Sequence, residues 1–235
     1  GITDIICHLY ERYLTNTKNV ETTDRMIEAL ILAMVNEGPK VIENPNDYDA
    51  RANIMWAGMM AHNNIVGVGR SQDWSSHQIE HELSAMYDCA HGRSQDWMSH
   101  NLEHELSALY DCAHGAGLAV AMPAVFTYAL NHDVNRFAKI AVRVWGCQMD
   151  FDNPEVTAKQ GIERLKQFLI SIGMPKNFAE LGAKEEDIPS LSHPCVYGDG
   201  SGSGNGSGNG NGSGNVYGFI KLEQKDVEAI YRLML

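Results

Sequence analysis

The chain has 235 residues, 44% of them apolar and 20% charged, which is enough to bury a full hydrophobic core and excludes disorder of the whole chain. Thirty acidic side chains against eighteen basic ones give a formal charge of −12, with no local basic stripe, so nucleic acid is excluded as a partner class. The longest apolar stretches, Ala29 to Val35 and Ala116 to Val125, reach only half of the roughly 20 residues that a bilayer-spanning helix needs, so no membrane crossing is expected.

The sequence opens on Gly1-Ile-Thr-Asp4 with no initiator Met, basic n-region or cleavable apolar segment, and reads as part of something longer that is not directed to secretion. Its five cysteines are odd in number and contain no Cys-x-x-Cys pair, which fits reduced thiols and a cytoplasmic location better than a disulfide framework.

In chain order, Asp4 and His8 stand one helical turn apart and share a face. Thr23-Asp-Arg-Met26 supplies an N-cap candidate for a helix whose apolar positions, Met26, Leu30, Ala33 and Met34, run to an expected stop near Gly38-Pro39. Asp49 to Ile65 and Val134 to Trp145 carry similar stripes, and the methionines Met55, Met59 and Met60 are expected in the core. Asn153-Pro154-Glu155 has a cap, a first-position proline and an early acid, and its helix continues to Gly173. Runs of alternating β-branched residues bounded by turn dipeptides are nearly absent, so the expected fold class is all-α, a helical bundle.

Two features interrupt this pattern. Arg70 to Gly92 recurs as Arg93 to Gly115, a tandem repeat of period 23 with only four differences: Ser75/Met98, Gln78/Asn101, Ile79/Leu102 and Met86/Leu109. Two units are too few for a solenoid, so this is a duplicated functional element. Gly198 to Asn215 contains only Gly, Ser, Asn and one Asp, and is expected to act as a flexible tether with an end-to-end distance on the order of 20–25 Å. The organisation expected is a helical domain over 1–197, a linker over 198–215, and a closing helix of the same domain over 216–235, with Val227, Ile230, Tyr231 and Leu233 on its docking face.

Of the ten histidines, six lie in the repeat with the spacing His-x3-His-x9-His: His77, His81 and His91 in the first copy, His100, His104 and His114 in the second. An i,i+4 pair can converge on one ion, and the third histidine precedes a glycine at which the chain can turn back. With Asp4 and His8, one carboxylate and three imidazoles would suit a divalent cation such as Fe2+ or Zn2+. A solvated helix face is the competing reading of each pair. His62, His132 and His193 read as polar residues at helix ends or in loops. His77-x-x-Glu80-His81 and His100-x-x-Glu103-His104 also match the His-x-x-Glu-His form of a zinc peptidase, the rival enzyme class, but that reading leaves His91, His114 and the Asp4/His8 pair unused.

The longer pattern is more specific. His100-x3-His104-Glu-Leu-Ser-Ala-Leu-Tyr-Asp-Cys-Ala-His114-Gly-Ala-Gly-Leu-Ala-Val120, preceded by Asp4-x3-His8 and by Glu43-Asn-Pro-Asn-Asp-Tyr-Asp-Ala-Arg-Ala-Asn-Ile-Met-Trp-Ala-Gly58, resembles the iron-containing alcohol dehydrogenases, in particular their NADPH-dependent butanol dehydrogenase branch. The resemblance covers nearly all of the chain outside the glycine tract. It implies the all-helical, dehydroquinate synthase-like metal domain of that family without the dinucleotide-binding α/β domain. It further implies metal ligation by Asp4 and His8 with the first and third histidines of one copy, and a proton-relay place beside the nicotinamide for the middle histidine. The second copy is preferred, giving His100 and His114 as ligands and His104 as the relay residue, because an apolar helix follows His114 immediately; the alternatives are His77 and His91 with His81. Short-chain alcohols and aldehydes are the implied substrates, and a homodimer the implied assembly.

Two departures qualify these expectations. No Gly-rich strand-to-helix phosphate loop is present, so NADPH is expected to bind only if the missing domain is supplied. The duplicated element stands where the family has one, and a truncated metal-binding scaffold without turnover is the non-enzyme alternative.

Overall fold

The computed structural model describes residues 1–73, 75–76, 79, 89–90, 112–197 and 216–235, with side chains described except at 89–90, 112–114, 193–197 and 216–217. The expected all-α class holds: the described residues are helices joined by short connections, with two ladders of two-residue strands. The chain divides into two compact units, Gly1–Asp73 with Phe126–Met174 and Trp74–Val125 with Pro175–Leu235.

The first unit is built around α1 (Ile2–Tyr13), which is buried on almost every side. Ile5, Ile6, Cys7, Leu9, Tyr10 and Tyr13 join its apolar core. The polar residues Thr3, His8, Glu11 and Arg12 are buried as well, which is costly unless each finds partners. Both α2 (Glu21–Glu43) and α3 (Tyr48–His62) pack on α1 and on each other. Asp47 starts α3, its carboxylate accepting the Ala50 amide at 3.0 Å.

Three sequence expectations fail in this unit. Thr23 does not cap the second helix, which starts at Glu21 with Val20 at its N-cap; the Thr23 hydroxyl instead donates to the Val20 carbonyl at 3.2 Å. The second helix does not stop at Gly38-Pro39 but runs on to Glu43. Gly38 is buried against Ile2 and Phe168, with room for a β-carbon only at 3.4 Å from Ile2 Cδ1, so tertiary packing there overrides the helix-breaking tendency of proline. Met55 and Met59 do not enter the core: they are 72% and 42% exposed, as is Trp56 at 63%. The buried face of α3 consists of the small residues Ala50, Ala57, Gly58 and Ala61, which let it approach α1 closely and turn the large side chains outward.

Helix α4 (His114–Ala129) ends in this unit, followed by a 3-10 turn (Leu130–His132), α5 (Val134–Arg143) and α6 (Pro154–Ser171). At Gly161, α5 and α6 meet so closely that a β-carbon would collide with that of Ala141 and come within 2.9 Å of its Cα. Gly173, at φ +86°, stops the chain two residues after α6, as its position predicts. A buried ion network ties the unit together. The Asp24 carboxylate accepts from Arg70 Nη1 at 2.9 Å and from Arg136 Nη2 at 2.6 Å, while Glu28 accepts from Arg143 Nη1 at 3.0 Å and from the Tyr13 hydroxyl at 3.3 Å.

In the second unit, α7 (Phe178–Leu181), a 3-10 turn (Glu185–Asp187), α8 (Ile188–Tyr197) and α9 (Gln224–Arg232) lie among the described residues. The closing helix spans only Gln224–Arg232 of the expected 216–235, and of the expected docking face Val227, Ile230 and Tyr231 are buried while Leu233 is 50% exposed. The Tyr231 hydroxyl donates to the Ile79 carbonyl at 2.9 Å, and the Phe178 amide donates to the Met234 carbonyl at 2.8 Å. A reciprocal capping box between Glu223 and Asp226 starts α9. The strands β3 (Val216–Tyr217) and β4 (Lys221–Leu222) pair antiparallel. The strands β1 (Cys89–Ala90) and β2 (Cys112–Ala113) pair in parallel, Cys89 with Cys112 and Ala90 with Ala113, which are equivalent positions of the two repeat copies. The remainder of the duplicated element lies largely outside the described residues. Among the described residues no helix is long and apolar enough to cross a membrane.

Candidate metal centre

Asp4 and His8 project from the same face of α1, as an i,i+4 pair must, and His8 Nε2 lies 3.5 Å from Asp4 Oδ1. A second imidazole approaches from α3: His62 Nε2 lies 3.4 Å from the other carboxylate oxygen, Asp4 Oδ2. The two rings stand with centroids 4.1 Å apart and planes inclined by 57°. One donor atom from each of Asp4, His8 and His62 falls within 4.8 Å of the others. His8 is buried, and Asp4 and His62 are half-buried.

The surroundings hold each ring in place. Arg12, one turn beyond His8 on α1, donates through Nη1 to the His8 carbonyl at 3.1 Å and faces His8 Nδ1 at 3.3 Å. His62 Nδ1 meets the Gly58 carbonyl one turn back on α3 at 2.8 Å. Burial disfavours the charged His62 ring, but the hydrogen bond to Asp4 and the Gly58 carbonyl outweigh it and hold the ring above the ordinary imidazole value.

The donor set fits a divalent cation. Metal–ligand lengths of about 2.1 Å place two donors across one ion ~4.2 Å apart at most, so the three atoms need only a small inward rotation to share one. Two imidazoles and a carboxylate are ligands that Fe2+ and Zn2+ both accept. Sequence reasoning found the Asp4/His8 half of the cluster and missed His62, which it placed correctly at a helix end but gave no partner. The available signal was the stripe of small residues, Ala57, Gly58 and Ala61, which marks the α3 face that comes nearest to another helix. His132, read the same way, lies within 2.8 Å of Asn16 Oδ1. His77, His81, His91, His100 and His104 lie outside the described residues; His114 begins α4, and its side chain is likewise outside the described set.

The same arrangement of elements occurs in known proteins. The family model for the Fe-containing alcohol dehydrogenase family, C-terminal, matches residues 1–95 and 92–205, and the two matches meet at the boundary between the repeat copies. An NADH-dependent butanol dehydrogenase B of Clostridium acetobutylicum is 33% identical over 83% of this chain and 45% of its own length. The NADPH-dependent aldehyde reductase YqhD of Escherichia coli is 29% identical over 81% of this chain and 43% of its own. Among solved structures, an NADH-dependent butanol dehydrogenase A from Thermotoga maritima superposes with a TM-score of 0.79 at 29% identity, covering all of this chain and 51% of that one. The chain belongs to the Fe-containing alcohol dehydrogenase family and corresponds to its C-terminal, helical portion. It spans less than half the length of the curated relatives it matches.

Proposed function

We propose that this chain is the metal-binding half of an iron-type alcohol dehydrogenase that interconverts short-chain alcohols and aldehydes with NADPH, the coenzyme being held by a dinucleotide-binding domain outside these 235 residues. The observation that carries the reading is the Asp4/His8 pair: a carboxylate and an imidazole 3.5 Å apart on a buried helix, in a member of this family. Asp4 and His8 would hold Fe2+ or Zn2+, with His100 and His114, or alternatively His77 and His91, as further donors. When bound, the ion supplies Lewis acidity toward the substrate oxygen.

The protein's own residues do the rest. Burial of α1 keeps bulk water from His8, so that the charge of Asp4 acts at low dielectric. Arg12 Nη1, facing His8 Nδ1, and the Gly58 carbonyl, bonded to His62 Nδ1, hold the two rings in orientation. His104, or His81 in the other copy, would pass the proton to and from the alcohol near the nicotinamide. The relatives named above carry NADH or NADPH in their names, and either coenzyme carries the same hydride chemistry. The reading treats 1–197 and 216–235 as one helical domain joined through 198–215, acting in the cytoplasm as a homodimer.

The alternative reading is a metal-binding scaffold without turnover. Family membership leaves the peptidase reading without support. The test is to purify the chain with Fe2+ or Zn2+, measure bound metal, and assay butanal-dependent oxidation of NADPH and NADH with and without a dinucleotide domain from a relative. Bound metal and chelator-sensitive turnover only when that domain is present supports the dehydrogenase; bound metal with no turnover in either case supports the scaffold; a chain that takes up no metal overturns both.

A further inference from the structure

We propose that His62 is a third protein ligand to the divalent ion, so that Asp4, His8 and His62 form a two-imidazole, one-carboxylate site contained within the first unit. The inference deepens the reading above and rests on it for the class of ion. It goes beyond the ligand set implied by family resemblance, which takes Asp4 and His8 together with histidines of the repeat and gives His62 no part.

The argument starts from the proton on the His62 ring. A carbonyl oxygen can only accept, so the 2.8 Å contact with Gly58 places a hydrogen on Nδ1. Nε2 is then the ring nitrogen turned toward the cluster, 3.4 Å from Asp4 Oδ2. A ring N–H anchored on a backbone carbonyl is also the outer contact that metal-bound imidazoles usually make, because it fixes the tautomer and aims the other nitrogen. His8 contributes the second imidazole at a centroid distance of 4.1 Å, and all three donor atoms lie within 4.8 Å of one another. Three donors of this kind gathered on one side of an ion leave its remaining positions open for other ligands or substrate.

Gly58 serves the site twice. Its carbonyl anchors the His62 ring, and its lack of a side chain lets α3 come close enough to α1 for the ring to reach: a β-carbon there would lie 2.9 Å from Ile5 Cδ1.

The test is Co2+ titration of the full chain against a chromophoric chelator, read both as affinity and as the visible absorption of bound Co2+, which reports the number and kind of its ligands. The variants are His62→Ala, His62→Gln, and a quadruple variant with His77, His91, His100 and His114 changed to Ala; circular dichroism checks that each is folded. The expected result is that His62→Ala and His62→Gln each weaken binding about tenfold or more and change the spectrum, and that the quadruple variant still binds Co2+ until His62→Ala is added to it. An unchanged spectrum in both His62 variants overturns the inference, whether affinity is kept, leaving the repeat-based ligand set standing, or falls, which makes His62 a positioning residue for Asp4. Unaltered binding by the quadruple variant, together with loss in His62→Ala, supports the inference while removing the repeat from the site. Absence of Co2+ binding by the unaltered chain overturns both.

Discussion

His8 and His62 come from different helices, yet their rings lie with centroids 4.1 Å apart across the α1–α3 contact, each beside an oxygen of the Asp4 carboxylate. A cation bound there binds the folded chain and not the unfolded one, so it stabilises the fold by mass action. At a concentration 100-fold above Kd, Zn2+ is expected to add about 2.7 kcal/mol to the unfolding free energy, and EDTA to remove it. Urea unfolding followed by circular dichroism measures the shift. Asp4→Ala should abolish it, and a shift that survives Asp4→Ala would place the stabilising ion elsewhere.

The Asp24 carboxylate is the centre of the buried ion network, held between Arg70 and Arg136 with all three side chains withdrawn from water. Removing it strands two guanidinium groups in a low-dielectric interior. Asp24→Ala is expected to cost about 3–5 kcal/mol of stability. By contrast, Lys159→Ala, which breaks the exposed pair with Glu155 at 2.6 Å, should leave the urea midpoint unchanged within error. Equal effects of the two substitutions would show that burial does not govern the network.

Gly161 is where α5 and α6 touch backbone to backbone. A methyl group there meets Ala141 at both its Cβ and its Cα, and the Cα cannot swing aside. Gly161→Ala should therefore destabilise the chain by roughly 1–3 kcal/mol, despite the better helix propensity of alanine. The denaturation midpoint should fall with little change in slope; a stabilised variant would mean that the helices can separate without loss.

The helix periods, the start at Asn153-Pro154 and the stop at Gly173 were legible because they depend on residues within a turn or two of one another. The Asp4/His8 pair was legible for the same reason. His62 was not, since its partner is chosen by how α3 packs on α1, and that choice resides in Ala57, Gly58 and Ala61, whose small size carries no chemistry of its own. The continuation of α2 through Pro39 and the outward turn of Met55 and Met59 were missed on similar grounds: a nonlocal contact, Gly38 on Ile2 and Phe168 in one case and the small-residue face of α3 in the other, outweighed a local preference.

Cys147 is buried, and burial pushes its thiol above the ordinary value, with Arg164 only partly opposing the shift. The folded chain thus holds this proton more tightly than the unfolded chain does. Its contribution to stability is complete below the unfolded thiol value of about 8.5 and is lost as pH rises through the folded one. Iodoacetamide should alkylate Cys147 more slowly in the native chain than in urea, with a pH profile displaced to the alkaline side. Peptide mass spectrometry reads the rate at this residue; an acid-displaced profile would contradict the assignment.

The spacing of α1 and α3 can be tested through one pair of side chains. In Gly58→Ala the new methyl presses on Ile5 Cδ1, the far end of a flexible side chain, so the fold should adjust with a modest loss of stability. The adjustment moves α3, and with it His62, which is anchored to the Gly58 carbonyl. Affinity for Co2+ should therefore fall more than stability does. Ile5→Val deletes the methyl that is struck and is expected to restore much of the lost affinity in the double variant, although on its own it costs only about 0.5–1.5 kcal/mol of stability. The double-mutant cycle should show coupling of opposite sign to the single losses. Strict additivity would mean that the α1–α3 approach at Gly58 does not set the position of His62.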